Sequence, residues 1–284
     1  MKYSVFTAST PDWTPAEAAS ILAAQGWDGI EWRVTDQAEA TPPGFWAGNR
    51  ATWPLTGLED HLDEIREITT SNGLAFSGIG GYALVGNHSD AERMLAATAA
   101  VGATQVRITM PRVDGQNYVE LFAQARADLE HIVTLAEKYG VKALVELHHE
   151  TITPSASAAR RLVEGLNPAA VGVIHDVGNL INEGFENHLA GFQLLGEYLA
   201  HVHIKNAQWV IDRVEIDGTH VWRHEWTTLR AGQADLAAYV RDLVAFGYDG
   251  WITLEDFSTE VPLEQRTAEN LAYVRSLVES AQGV

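Results

Sequence analysis

Tyr139-Gly140-Val141-Lys142-Ala143-Leu144-Val145-Glu146-Leu147-His148-His149-Glu150 is the stretch on which the fold turns. A helical segment ends at Gly140, where glycine accepts the left-handed conformation that closes a helix. A short apolar run follows at once and becomes acidic and His-rich at its far end, as a buried strand with a polar C-terminus does. The same unit recurs outward along the chain, with helix-closing glycines at Gln25-Gly26-Trp27, Asn72-Gly73-Leu74, Val101-Gly102-Ala103 and Phe246-Gly247-Tyr248. The pattern predicts strands over Lys2–Thr7, Gly29–Val34, Leu74–Gly80, Gln105–Met110, Val141–His148, Val171–Asp176, Ala200–Lys205 and Gly250–Phe257. Helices are expected near 15–25, 58–72, 90–101, 118–139, 155–165, 188–198, 235–246 and 263–281, with Thr14-Pro15-Ala16-Glu17 and Ser89-Asp90-Ala91-Glu92 reading as capping boxes. Strict alternation implies parallel pairing through right-handed crossovers, and eight units suffice to close a barrel. An open doubly wound sheet alternates similarly, but no glycine-rich phosphate loop follows the first strand here. The expectation is a single (β/α)₈ TIM barrel over residues 1–284, with long post-strand loops near 35–57 and 207–232 as candidate pocket walls.

Composition narrows the function. The chain has 284 residues, of which 46% are hydrophobic and 20% charged, enough for a large core and too apolar for disorder. It has no Cys, which excludes disulfides, thiolate metal sites and cysteine nucleophiles. With 19 Lys+Arg against 38 Asp+Glu the net charge is −19, a surface that repels phosphate backbones and anionic lipid, so neither nucleic acid nor membrane is an expected partner. No apolar run approaches a membrane span and Met1–Ala8 lacks a signal-sequence pattern, so the expected setting is cytoplasmic. A small neutral ligand is the expected partner; a homo-oligomer is neither required nor excluded.

The chemistry concentrates at four strand ends: Glu146-Leu147-His148, His175-Asp176-Val177-Gly178-Asn179, His201-Val202-His203-Ile204-Lys205 and Leu254-Glu255-Asp256. C-terminal strand ends carry the catalytic groups of such a barrel. Side chains two apart share a face, so Glu146 goes with His148, and His201, His203 and Lys205 go together. Glu146, Asp176, His203 and Glu255 are assigned as a metal cage, because three carboxylates in a low-dielectric mouth repel one another unless a cation joins them. An O,O,O,N set with open positions suits Mn²⁺, Mg²⁺ or Co²⁺, with Zn²⁺ a further option; manganese is the first expectation. Each residue taken singly also reads as a cap, a surface group or a satisfied hydrogen-bonding residue. The weight comes from four adjacent strands ending alike. His148 and Lys205 are expected to face the pocket, while His149, His175 and His201 are assigned packing or outward positions. Glu31, Arg33 and Arg107 are secondary candidates for holding sugar hydroxyls, Arg107 equally for an interior ion pair. Of the nine Trp, Trp32, Trp46, Trp53, Trp209, Trp222 and Trp226 border the post-strand segments, where they suit either a sugar-binding mouth or loop anchoring.

At these strand ends, and at Gly247-Tyr248-Asp249-Gly250 and Leu229-Arg230-Ala231-Gly232-Gln233-Ala234-Asp235, the sequence resembles the sugar phosphate isomerase/epimerase family with the xylose-isomerase-like barrel. The resemblance spans nearly the whole chain. It implies that Glu146 and Glu255 bind a divalent metal and exchange a substrate proton, with Asp176 and His203 completing the site. Asn179 stands where many epimerases of that family carry a His, which leans toward members that eliminate water or an aglycone from keto-cyclitols and 3-keto-glycosides. The implied function is a metal-dependent sugar isomerase or epimerase working through an enediolate, or alternatively a lyase. Glu146 and Glu255 are the expected bases for the first and His148 for the second. Lys205 is a proton donor or oxygen holder, and Asn179 counts among the substrate contacts. A related abasic-site endonuclease is disfavoured by the charge, and a non-catalytic sugar-binding subunit would bind without proton exchange.

Overall fold

The computed structural model describes residues 1–283. Eight parallel strands form the wall: β1 Lys2–Phe6, β2 Gly29–Val34, β3 Ala75–Gly81, β4 Gln105–Arg107, β5 Lys142–Glu146, β6 Val171–Asp176, β7 Leu199–Ile204 and β8 Trp251–Leu254. Each pairs with its successor. β8 returns to β1, with Lys2 opposite Trp251 and Val5 opposite Leu254, so the barrel closes and the open-sheet alternative falls. Eight helices surround it: Pro15–Gln25, Leu62–Ser71, His88–Val101, Tyr118–Tyr139, Ala156–Val163, His188–Leu195, Leu236–Phe246 and Leu263–Gln282.

Local chemistry explains the helix boundaries. The Glu17 carboxylate accepts from the Thr14 backbone N–H at 2.8 Å while the Thr14 hydroxyl accepts from the Glu17 N–H, a reciprocal cap. The second expected cap is displaced: the helix opens at His88, and Asn87, not Ser89, accepts from the Asp90 N–H. Asn caps as well as Ser does, and it lies two residues earlier. Gly26, Gly102, Gly140 and Gly247 all close helices at φ between 66° and 86°.

Strand alternation sends Val5, Ile30, Trp32, Val145, Val202, Ile204, Ile252 and Leu254 outward into one apolar core beneath the helices. The opposite faces fill the barrel interior and are largely polar: Ser4, Glu31, Gln105, Arg107, Glu146, His201, His203, Thr253 and Glu255 are all buried. An interior so polar is held by cross-strand hydrogen bonds and ion pairs, and these connections dictate the geometry of the mouth.

Two segments depart from the expected loops. Residues 207–232 contain an antiparallel hairpin, Asn206–Val214 with His220–Thr227, turning through Asp217-Gly218 where Gly218 has φ 87°. Residues 35–57 contain a two-residue strand, Thr52–Trp53, paired with β2. A short helix, Val177–Asn182, also follows β6 directly, its N-terminus capped by Asp176. No helix of the described residues is long and apolar enough to cross a membrane.

Candidate metal centre and active site

β5, β6, β7 and the end of β8 bring Glu146, Asp176, His203 and Glu255 together, each offering a ligand atom within 4.8 Å of the others. All four are buried. His203 is the key to the arrangement. Its Nε2 lies 3.1 Å from Glu31 Oε2, and because an ionised carboxylate only accepts, Nε2 carries the proton. Nδ1 therefore points at the acids, 3.3 Å from Glu255 Oε1, 3.4 Å from Glu146 Oε1 and 3.8 Å from Asp176 Oδ2. It is buried without a hydrogen-bond partner among the described residues. An unpartnered imidazole nitrogen facing three carboxylates is the donor set of a hard divalent cation. These residues fit such an ion.

Charge counting agrees. Glu31, Glu146, Asp176 and Glu255 are balanced by only two permanent cations, Arg107 and Lys205, which leaves two negative charges in a buried space. Arg107 reaches Glu146 Oε2 at 2.7 Å and the Gly81 carbonyl at 3.0 Å. Lys205 Nζ donates to Asp176 Oδ2 at 2.6 Å and to Glu255. Burial alone would raise the Glu146 carboxyl, yet the Arg107 guanidinium and its other cationic neighbours hold it well below the usual range. Burial likewise disfavours a charged His203, but Glu31 and Glu255 draw it well above its ordinary value. Asp176 shows the shortage of positive charge: burial raises it, and Glu255 and Glu146 add to the effect against the opposing pull of Lys205. A proton and a divalent ion are alternative answers to that deficit.

Two of the four, Glu146 and Glu255, line a cleft of about 220 Å³, while Asp176 and His203 are not among its lining residues. Arg107, Glu146, His148, Lys205 and Glu255 line it. His148 Nδ1 is 2.8 Å from the His149 carbonyl oxygen, which can only accept; Nδ1 therefore bears the proton and Nε2 keeps a lone pair. Burial lowers the His148 pKa and favours this neutral form. Gly178 makes room for Lys205, since a Cβ there would overlap the lysine's Cγ.

Other expected side chains lie elsewhere. Glu31 is not among the cleft-lining residues; it sits beneath His203, accepting also from His201 Nε2 at 3.0 Å. Asn179 is fully buried and does not line the cleft. Its side-chain N–H donates to the Leu147 carbonyl at 3.0 Å and approaches Glu146 Oε1 at 3.5 Å, so it helps to orient the Glu146 carboxylate. Arg33 hydrogen-bonds Gln37 and Thr52, anchoring the segment after β2. His201 faces inward, as its two-residue spacing from His203 requires; Nδ1 accepts from Gln105 and Nε2 is 2.8 Å from Thr253 Oγ1. His175 does pack against helices, beside Phe192 and Tyr239. Among the tryptophans Trp46 lines the cleft, whereas Trp32 and Trp53 are core residues. Tyr82, Leu84, Ile108, Thr109 and Met110 line it unannounced. The only signal for the last three was their place at the end of the expected fourth strand.

Comparisons with known proteins agree with this geometry. Over residues 19–277 the chain matches the family described as the xylose isomerase-like TIM barrel. An inosose dehydratase of Bacillus licheniformis is 26% identical over 133 residues, 45% of this chain and 44% of that protein. One from Lactiplantibacillus plantarum is 25% identical over 162 residues, 54% of this chain and 53% of its own length. The chain thus spans about half the length of the curated relatives it matches. Among solved structures, a 3-keto-D-glucoside 4-epimerase from E. coli superposes with TM-score 0.72 at 17% identity, covering 97% of this chain and 99% of that one. A xylose isomerase-like TIM barrel protein from Mycobacterium smegmatis in complex with magnesium gives 0.71 at 19% identity, covering 99% and 97%. With closed barrel, polar mouth and a match over most of its length, the chain belongs to the xylose isomerase-like TIM barrel family.

Proposed function

We propose that the protein is a divalent-metal-dependent enzyme that abstracts a proton from the carbon next to a carbonyl of a small sugar and returns it elsewhere, as a sugar isomerase or epimerase. The observation that carries this reading is the unpartnered His203 Nδ1 aimed at Glu146, Asp176 and Glu255, of which Glu146 and Glu255 line the cleft. Manganese is the first ion to test, and magnesium is the one present in a structural neighbour. Bound in this cage, the ion would supply Lewis-acid stabilisation of charge developing on the carbonyl and neighbouring hydroxyl oxygens.

The chain's own residues do the rest. The carboxylates of Glu146 and Glu255 are held ionised and come from different strands, so one can take the proton and the other return it. Arg107 and Asn179 fix Glu146, while Lys205 fixes Glu255. Lys205 also faces the cleft, where its ammonium can hold or protonate a substrate oxygen.

Elimination is the second reading, favoured by the bare Nε2 of His148 and by the inosose dehydratases among the sequence relatives. His148 would take the proton, the C–H pair would become the new double bond, and the β C–O bond would break as Lys205 protonates the departing oxygen. Chelator treatment followed by metal restoration, with solvent-deuterium exchange measured on keto-sugars and keto-cyclitols, tests both. Exchange should vanish and return; undiminished exchange after stripping contradicts the reading. Exchange without an enone product marks isomerisation, and enone absorbance marks elimination.

A further inference from the structure

Two histidines stand side by side beyond β5, and the cleft accounts for only the first. His148 lines it, whereas His149 is not among its lining residues. His149 is half-buried beside its neighbour, the two rings stacked with centroids 4.4 Å apart and planes 28° apart. The hairpin adds His224 and Trp226, with ring centroids 5.7 and 6.1 Å from that of His149. The turn that carries His149 is pinned. Glu150, next in the chain, has φ 60°, a left-handed conformation that a non-glycine residue keeps only where its surroundings hold it. Its N–H donates to Glu183 Oε2 at 2.6 Å, and its carbonyl accepts from the Val113 N–H at 2.8 Å.

One polar contact decides what the His149 side chain does. Its Nδ1 lies 3.2 Å from Oδ1 of Asn179. The other neighbours of that amide fix its orientation. Its nitrogen faces the Leu147 carbonyl at 3.0 Å and Glu146 Oε1 at 3.5 Å, and both of these only accept. The amide oxygen is therefore the end that meets His149, and His149 Nδ1 donates. Burial, reinforced by His148 and Lys205, pushes the His149 pKa down to about 3, so the ring is neutral and its single proton goes to Asn179. Asn179 touches a second acid of the cage as well, because its backbone N–H donates to Asp176 Oδ1 at 2.9 Å. Without His149 the amide oxygen of a fully buried residue would lose its partner. Any rotation that brought that oxygen to water would carry the amide N–H away from Glu146.

We propose that His149 is a positioning residue for the cage: its Nδ1–H locks the Asn179 amide, whose opposite end then presents an N–H to Glu146. The proposal rests on the metal reading above and adds a side chain that touches neither the four cage residues nor the cleft. Its stacking on His148 is a separate packing contact.

Two substitutions separate the donor from the ring. His149→Asn offers an amide N–H from the same branch point as Nδ1 and has no ring; His149→Phe keeps a ring and has no donor. Mn²⁺ affinity of the full-length protein is measured by competition with a chromophoric chelator. It should weaken about tenfold in His149→Phe and stay within about twofold of wild type in His149→Asn. On an Asn179→Ala background His149→Phe should add less than about twofold. Equal losses in the two variants, no loss in His149→Phe, or a loss that persists without Asn179 would overturn the proposal and leave the cage intact. If the wild type takes up no ion, the cage reading itself fails. The side-chain NH₂ resonances of Asn179, assigned in ¹⁵N spectra by their disappearance in Asn179→Ala, then decide the positioning alone. Displacement in His149→Phe with retention in His149→Asn supports it, and any other pattern overturns it.

Discussion

His175 and Asp176 are neighbours on β6, yet they serve opposite sides of the barrel wall. Inside, Asp176 joins Glu146, Glu255 and His203 in a cage short of positive charge. Outside, His175 packs among Phe192, Tyr239 and His188, with its Nδ1 3.0 Å from the Tyr239 hydroxyl. His203 and His175 are equally buried, at 0% and 1% exposure, so burial cannot explain their difference. Carboxylates flank His203 and raise it, whereas burial, reinforced by His188, pushes His175 down to about 3. The same side chain becomes a charge-balancing centre or an inert packing group according to what faces it.

Changes on the inner side should strike activity hardest. Glu255→Gln removes a proposed ligand and a charge, and keto-sugar proton exchange should drop by about 10²–10³-fold; a variant within a few-fold of wild type would place Glu255 outside the chemistry. Glu31→Gln touches no substrate. It replaces the charged acceptor that orients His203 with a neutral amide, so metal affinity measured by competition with a chromophoric chelator should weaken about 10–100-fold. Unchanged affinity would make Glu31 a structural residue only.

Changes on the outer side should touch stability and leave metal content alone. Tyr239→Phe leaves the buried His175 Nδ1 without its hydroxyl partner and should cost about 1–3 kcal/mol in denaturant unfolding. Loss of metal together with stability would mean that the two sides are not independent. The last effect concerns pH and shows only in acid. His175 is depressed to about 3 in the folded state against an ordinary value of 6.5, so below 6.5 the unfolded chain binds the extra proton. Its contribution is complete above 6.5 and declines as pH falls toward 3, by at most about 1.4 kcal/mol per pH unit. His175→Gln should remove that part of the acid slope; identical slopes for variant and wild type would refute the assignment.

The sequence is unequally transparent on the two sides. The repeating units follow from local signals, because the Thr14–Glu17 box and the glycines at 26, 102, 140 and 247 each act within a few residues, whereas closure is the non-local pairing of β8 with β1. Period-two alternation also suffices to send Glu146, His203 and Glu255 to one side. It required the same of His201, whose inward position follows from spacing alone. Depth is another matter. Glu31 lies below His203 because of how far β2 and β7 are staggered around the barrel, and Asn179 is turned toward Glu146 by the short helix after β6. Neither relation is local. The hairpin was accessible in principle, since Asp217-Gly218 between alternating apolar positions is a hairpin-turn sequence. Leu84 carries no such mark; its place at the cleft appears only where the segment after β3 meets Thr109.

One measurement bears most directly on the inner cage: titration of the chelator-treated protein with Mn²⁺, followed by electron paramagnetic resonance and repeated with His203→Ala and Asp176→Asn. One tightly held ion per chain, lost or greatly weakened in both variants, is the expected result. No uptake by the wild type, or uptake indifferent to both substitutions, would contradict a cage built by these four strands.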